Sequence, residues 1–172
     1  HEMFDKAVDF FYRGPGNGSL LHYIVNEAGQ GQESGRDQPH SMLGIGHLAE
    51  MCEIGWNQGL DMYKFSDNRL LKGFEYTAKY NLGEDVPFEP HMDISGRFPA
   101  STISTNGRGN LRSIFEQVYN HYAFRVKGIP AEQYKYTKAA ADKLRPEGAG
   151  FNADNAGFGT LFFSLKESLP DK

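Results

Sequence analysis

Apolar residues recur at helical spacing in five stretches of the chain. These stretches cover residues 2–13, 39–55, 67–81, 110–125 and 131–144. The fourth is the clearest, because one helical face would carry Leu111, Ile114, Phe115, Val118 and Tyr122. This spacing predicts five helices, and a shorter helical turn is expected over residues 20–24.

Residues that start helices precede two of these stretches. Pro39 stands where the second helix would begin, so Asp37 or Gln38 is its expected N-cap. Ser66 or Asp67 would cap the third helix in the same way. Both starts are therefore predicted from residue type as well as from periodicity.

The segments between the helices are long and polar. Residues 84–107 contain three prolines and many small polar residues, which predicts a loop long enough to form a lid or wall of a site. Residues 157–165 hold the only strand-like run, so at most one short strand is expected there, near the C-terminus. Together these patterns predict an all-α fold of antiparallel helical hairpins arranged around a cleft.

Composition narrows the possible functions. A chain of 172 residues predicts a single domain over residues 1–172. A net charge of −4 argues against a nucleic-acid partner, and the apolar runs are shorter than the roughly 20 residues of a membrane span. The only cysteine, Cys52, lies on a predicted core face and is expected to be a buried, inert thiol. The spacing patterns of common metal and phosphate sites do not occur, so no metal and no cofactor are predicted.

The most polar segment, residues 30–40, precedes the second predicted helix. It cannot be a core element, because every buried polar group needs a partner. Arg36 and His40 would stand close together where the helix begins, and nearby glycines would let the backbone approach a ligand. Candidate ligand-binding residues of the segment are Gln32, Glu33 and Gln38.

A second candidate cluster lies on the fourth predicted helix. Its residues are Tyr119, Asn120, His121 and Tyr122. Consecutive helical residues point in different directions, so at most two of them share a face, and at least one is expected to face the cleft. Basic residues also outnumber acidic ones here, which favours an anionic ligand. They are Arg97, Arg108, Arg112, Arg125 and Lys127, with only Glu116 opposing them.

These residue types suit β-elimination on a uronic acid. The proton beside a carboxylate is barely acidic, because its removal places a second negative charge next to the first. Arg36 or Gln38 could bind the carboxylate and spread that charge. A neutral histidine or an ionised tyrosine could remove the C5 proton, and a tyrosine could return a proton to the departing O4.

Several sequence runs, taken in order, resemble the alginate lyase family of helical-toroid polysaccharide lyases. The longest is QGQESGRDQPH at residues 30–40, and it is followed by WNQG at 56–59 and NRLLKGFEY at 68–76. The likeness continues through YNHY at 119–122, RPEG at 145–148 and GFGTL at 157–161. It covers nearly the whole chain.

The resemblance implies an incomplete (α/α) toroid whose cleft cleaves acidic polysaccharides such as alginate or glucuronan. It implies that histidine and tyrosine transfer protons while asparagine and arginine neutralise the uronate. The positions that fit are Arg36, His40, Tyr119, Asn120, His121 and Tyr122. Asn57 and Gln58 join the candidate substrate-binding residues. An extracellular or periplasmic location and an N-terminal remainder of the same catalytic domain are also expected.

Two other functions remain open at this point. A glycoside hydrolase on a similar toroid would use Glu33 and Asp37 as acid and base. In an inverting enzyme the two carboxyl groups lie roughly 6.5–9.5 Å apart. Glu33 and Asp37 are only four positions apart in the chain, so their carboxyl groups are expected to lie closer together than that. The third possibility is a non-catalytic carbohydrate-binding domain.

Overall fold

The regular secondary structure of the protein is helical. The computed structural model describes residues 1–92, 96, 99–150 and 154–165. Its α-helices are α1 Glu2–Arg13, α2 Leu20–Tyr23, α3 Gln38–Asn57, α4 Phe65–Asn81, α5 Phe115–Asn120, α6 Lys135–Leu144 and α7 Gly159–Phe163. A π-helical turn, His121–Arg125, follows α5, and a 3₁₀ turn, Ala131–Tyr134, precedes α6.

The prediction of an all-α fold is confirmed. Within the described ranges, β-structure is limited to isolated bridges, such as those between Ile24 and Gly31 and between His91 and Ala100. The described part of residues 84–107 contains no helix, in agreement with the predicted long loop. Arg97, part of the predicted basic patch, lies outside the described residues.

Helix α3 begins where the sequence predicts. The Asp37 side chain accepts a hydrogen bond from the His40 backbone N–H and so caps the helix, with Pro39 in its first turn. The helix buries an apolar face that includes Cys52, and burial raises the pKa of this thiol well above its usual value. The cysteine is therefore a packing residue, as predicted.

The predicted cap of α4 is wrong. Ser66, Asp67 and Asn68 have φ angles of 50°, 54° and 54°, so the right-handed helix is regular only from Arg69 onward. No side chain caps the helix, and the Asp67 carboxylate instead accepts a hydrogen bond from Lys72. An N-cap residue normally has extended backbone angles, which direct its side-chain oxygen towards the N–H groups of the first turn. Residues in the left-handed conformation do not have these angles.

The fourth predicted helix is shorter than its periodicity suggests. Helix α5 starts at Phe115 because the Glu147 carboxylate accepts hydrogen bonds from the backbone N–H groups of Phe115 and Glu116, at 2.9 and 3.0 Å. After Asn120 the chain widens into the π-helical turn. A distant residue therefore fixes the start of this helix.

The strand predicted over residues 157–165 is wrong, because its centre forms α7, Gly159–Phe163. Leu161 and Phe162 are exposed, so the run does not bury an alternating face. An apolar run this short carries too few positions to distinguish a strand from a helix.

The core forms where α3 and α4 pack together and where α6 packs against α4 and α5. Its fully buried side chains include Phe11, Met42, Leu70, Phe74 and Phe115. Across the described residues, no helix is both long and apolar enough to cross a membrane.

Candidate functional site

The loop before α3 is folded tightly against its surroundings. Gln32 donates its backbone N–H to the carbonyl of Tyr23 at 2.8 Å, and the Ser34 hydroxyl donates to the carbonyl of Gly31 at 2.6 Å. The Gln32 side chain is buried beside Glu33, with 3.5 Å between its amide nitrogen and the carboxylate. These bonds hold the polar segment in one conformation at the N-terminus of α3.

Gln38 is part of this scaffold. It is 2% exposed, donates to the Ser104 carbonyl at 2.9 Å and accepts from Asn81 at 2.9 Å. The side chain thereby joins α3 to α4 and to the long loop. Since its amide is satisfied by protein groups, the structure argues against the substrate-binding role predicted for Gln38.

Asp37 and His40 form a tight pair at the start of α3. The Asp37 carboxylate accepts the His40 backbone N–H at 2.7 Å and lies 2.7 and 2.8 Å from the ring nitrogen Nδ1. The carboxylate side chain is 12% exposed, whereas the imidazole is 40% exposed. A carboxylate at Nδ1 holds the proton on that nitrogen and leaves Nε2 as the acceptor for a substrate proton.

Arg36 and His40 line the same cavity, hereafter the cap cavity. Its volume is about 390 Å³, and Glu33, Tyr23 and Gly44 are also among its walls. The Arg36 guanidinium is 3.4 Å from the Glu33 carboxylate and 3.8 Å from Asp37. The cap cavity therefore combines a cation, a carboxylate and the imidazole that Asp37 orients from outside the cavity lining.

Tyr23 packs against the first turns of α3 and hydrogen-bonds to their backbone. Its hydroxyl donates to the backbone carbonyls of His40 and Ser41, at 2.9 and 3.1 Å, and the side chain is buried. A Cβ on Gly44 would lie 2.0 Å from the Tyr23 ring, so only glycine leaves room for it. Gly44 therefore lets the Tyr23 ring approach α3 closely. The Tyr23 hydroxyl is bound to protein and is not offered to a ligand.

Residues 119–122 are buried, and none of them lines the cap cavity. Tyr122 is 1% exposed and donates its hydroxyl to the Tyr63 carbonyl at 2.8 Å, and burial raises its pKa well above the usual value. Asn120 donates to Glu116 at 2.8 Å and accepts from the backbone of Leu165 at 2.7 Å. This burial argues against the substrate-facing roles predicted for Asn120 and Tyr122.

His121 lies inside an aromatic cluster. Its ring stacks on Tyr63 with centroids 3.7 Å apart, and Trp56 meets its edge at 4.8 Å. Burial, with a smaller contribution from the Arg125 charge, lowers the pKa of His121 to about 3. The imidazole is 1% exposed and, with this lowered pKa, is a weak base, so the structure argues against a proton-transfer role for it as well.

Tyr119 and the amides after α3 occupy other positions. Tyr119 is 7% exposed and packs against Phe124 and Tyr134, with the Arg145 guanidinium 5.2 Å from its ring centre. Asn57 and Gln58 are exposed at the end of α3, far along that helix from its cap. The structure therefore joins Arg36, Glu33 and His40 in one cavity, which is lined neither by residues 119–122 nor by Asn57 and Gln58.

The predicted basic patch is largely paired with protein groups. Arg108 contacts the carbonyl of Tyr80 at 2.9 Å and the Asp85 carboxylate at 3.3 Å. Arg125 binds Glu53 at 2.7 Å, and Arg112 binds Asp154 at 3.2 Å. These pairs weaken the argument that this region attracts an anion.

Sequence reasoning missed the orienting role of Asp37. Its signal was present, because an N-cap residue and the residue three positions later meet at the first turn of a helix. An aspartate followed after two residues by a histidine can therefore predict a carboxylate–imidazole pair.

The fold and the site define an all-α protein with an arginine and a carboxylate-oriented histidine at the N-terminus of its longest helix. Within the described ranges, no group of three or more His, Cys, Asp or Glu side chains could hold a metal ion. Comparison of the chain with protein-family models, with curated proteins and with solved structures found no match.

Proposed function

We propose that the protein is a polysaccharide lyase that cleaves a uronic-acid-containing polysaccharide, of the alginate or glucuronan type, by β-elimination. The observation that carries the proposal is that His40, held at Nδ1 by Asp37, lines one cavity together with Arg36. The pair supplies a base, and the guanidinium supplies a partner for the uronate carboxylate.

Arg36 is suited to bind the substrate carboxylate. Removing the C5 proton places negative charge on the carboxylate group, and a planar guanidinium can stabilise that charge with two parallel hydrogen bonds. The first turn of α3 adds the partial positive charge of a helix N-terminus. Together these groups favour the transition state over the bound substrate.

His40 is suited to move the proton. Nε2 accepts the C5 proton, the C5–H electrons form the C4=C5 double bond, and the C4–O4 bond breaks. The imidazolium, stabilised by Asp37, then returns the proton to the departing O4. A single group that acts twice works on one face of the sugar, so the preferred uronate would carry H5 and O4 on the same side.

The arrangement disfavours hydrolysis by Glu33 and Asp37. Asp37 is engaged by the backbone and the ring of His40, and Glu33 faces the Arg36 guanidinium. The acid and the base of a glycoside hydrolase must both reach the sugar, whereas these contacts hold Asp37 on His40 and Glu33 on Arg36.

The proposal extends to the surroundings of the site. The acidic polysaccharide is its partner, no cofactor is required, and the setting is extracellular or periplasmic. Helices α3 and α4 would belong to an (α/α) toroid that an N-terminal remainder of the same catalytic domain completes.

The test is an ultraviolet assay with alginate, polyglucuronate and heparin. We expect an absorbance rise from the new C=C bond with at least one polymer, lost in His40→Ala and retained in His22→Ala, whose exposed side chain lies outside the cap cavity. New reducing ends without the absorbance rise would instead indicate hydrolysis. Binding without either product would indicate a carbohydrate-binding domain.

A further inference from the structure

A second, larger cavity borders a different face of α3. Its volume is about 790 Å³, and His47 is the one described residue that it shares with the cap cavity. Its walls come from α3, α5, α7 and three further segments, which are residues 113–114, Glu147 with 149–150, and 154–157. We refer to it as the α7 cavity. The lyase proposed above does not use it.

Asn155, in the wall of the α7 cavity, has an unsatisfied acceptor. The residue is 5% exposed, and its Oδ1 atom has no hydrogen-bond partner among the described residues. Its Nδ2 lies 3.4 Å from the Glu50 carboxylate. A buried acceptor without a partner destabilises a protein. The Oδ1 atom is closed to solvent in this conformation, so a rotation of the side chain that brings it to a ligand donor in the cavity would relieve that cost.

The rim of the α7 cavity presents apolar surface. Phe162 is 66% exposed on α7, and Ile54 is 58% exposed on α3. An exposed aromatic ring provides a flat apolar face at a site that otherwise offers polar groups. The C–H face of a sugar ring fits such a surface.

The charges of the α7 cavity argue against an anionic ligand. None of its described lining residues is a lysine or an arginine, whereas several are acidic. The carboxylates are also partly compensated, because Glu53 is paired with Arg125 and Asp154 with Arg112. This compensation reduces the attraction for a cation.

Glu147 adds a donor to the same wall. Burial raises the pKa of its carboxyl group to about 7, so a substantial fraction is protonated at neutral pH. Oε1 is held by the N–H groups of Phe115 and Glu116. The cavity thus combines acceptors and donors with little net charge.

We propose that the α7 cavity binds a neutral saccharide, with a sugar ring against Phe162 and a hydroxyl donated to Oδ1 of Asn155. Sugar hydroxyls both donate and accept hydrogen bonds, which matches the mixed amide and carboxyl lining. A uronate would meet carboxylates without a cation, and an ammonium ion would leave the donors of the site unused.

The experiment is calorimetric titration of the whole chain with neutral gluco-, manno- and xylo-tetrasaccharides, a uronate tetramer and spermidine. We expect saturable binding of at least one neutral tetrasaccharide, weakened roughly tenfold or more in Phe162→Ala. Leu161→Ala is the matched control, because its exposed neighbouring side chain does not line the cavity. His40→Ala should leave this binding unchanged, which separates it from the proposed lyase site.

Asn155→Ala provides a second readout. Truncation removes an unsatisfied acceptor, so the melting temperature should stay the same or rise while neutral saccharide binding weakens roughly tenfold. The proposal is overturned if no neutral tetrasaccharide binds, if Phe162→Ala binds as tightly as the unmodified chain, or if only the uronate or spermidine binds.

Discussion

Asp37 combines a structural and a chemical function at the level of a single residue. As the N-cap of α3 it accepts the His40 backbone N–H, and the same carboxylate meets Nδ1 of the His40 ring. The carboxylate that caps the helix therefore also orients the imidazole of the proposed base. A general base held in this way needs no further positioning when substrate arrives.

Asp37→Asn should separate these two functions. Its side-chain oxygen can still cap α3, but its amide group cannot stabilise an imidazolium. We expect kcat for the uronate polymer to fall roughly 10²- to 10⁴-fold, with little change in the melting temperature. Steady-state kinetics from ultraviolet absorbance, with a thermal melt, would measure both. A variant with unchanged kcat would contradict the orienting role.

Arg36→Lys should lower kcat/KM for the uronate polymer, although lysine keeps the positive charge. Lysine lacks the planar fork that holds a carboxylate through two bonds, so kcat/KM should fall roughly 10- to 100-fold. Arg13→Lys on the exposed α1 is the control, and its kcat/KM should not change. Equal losses in both variants, or none in Arg36→Lys, would argue against carboxylate binding at Arg36.

At the level of elements, α3 depends on close contacts that only glycine permits. The Tyr23 ring packs over Gly44, and Asn155 and Ile114 approach Gly46. A Cβ on Gly46 would lie 2.7 Å from the Asn155 side chain. Both cavities therefore border α3, where glycine leaves room for neighbouring side chains to pack closely against the helix backbone.

Gly44→Ala should destabilise the protein and disturb the cap cavity together. The added methyl group would lie 2.0 Å from the Tyr23 ring and displace it from the His40 carbonyl. Overpacking of this kind costs about 1–3 kcal/mol or more in the free energy of unfolding. Urea denaturation would measure it, with Gly148→Ala as the control because no atom lies within 4 Å of its Cβ position.

How much of an element the sequence predicts depends on where its stabilising partners lie. The start of α3 was predictable because its cap, Asp37, and Pro39 are local. The start of α5 was not, because its cap is Glu147, which follows Phe115 by 32 positions. The α7 segment was mistaken for a strand because five residues show no clear period.

The same distinction applies to the site. Arg36 and His40 are only four positions apart in the chain, so their presence at one site was predictable from the sequence. The burial of His121 and Tyr122 was not, because Tyr63, which stacks on one and accepts a bond from the other, lies outside their helix. A helical pattern indicates a buried face but does not identify what packs against it.

At the level of the whole molecule, His121 makes stability depend on pH. Its pKa is about 3 in the folded protein and about 6.5 when unfolded. Between these values the unfolded chain binds the proton and the folded protein does not. Stability is therefore unaffected by His121 above pH 6.5 and falls as the pH drops from 6.5 towards 3.

His121→Phe should remove this dependence while keeping the stack on Tyr63. Between pH 7 and pH 5 the unmodified protein should lose about 2 kcal/mol more unfolding free energy than the variant. Urea denaturation at both pH values would measure the difference, since the carboxyl groups contribute similarly to each protein. Lyase activity should persist in the variant, and its abolition would restore a catalytic role for His121.

The proposed elimination is tested most directly by mass spectrometry of a uronate hexamer deuterated at C5. The account predicts paired products whose masses sum to one mass unit less than that of the substrate, because the deuteron removed from C5 passes to a hydroxyl group and exchanges with water. The deuterium should be missing from the unsaturated ring alone, and His40→Ala should give no cleavage. Products that together gain one water and keep the deuterium would contradict it.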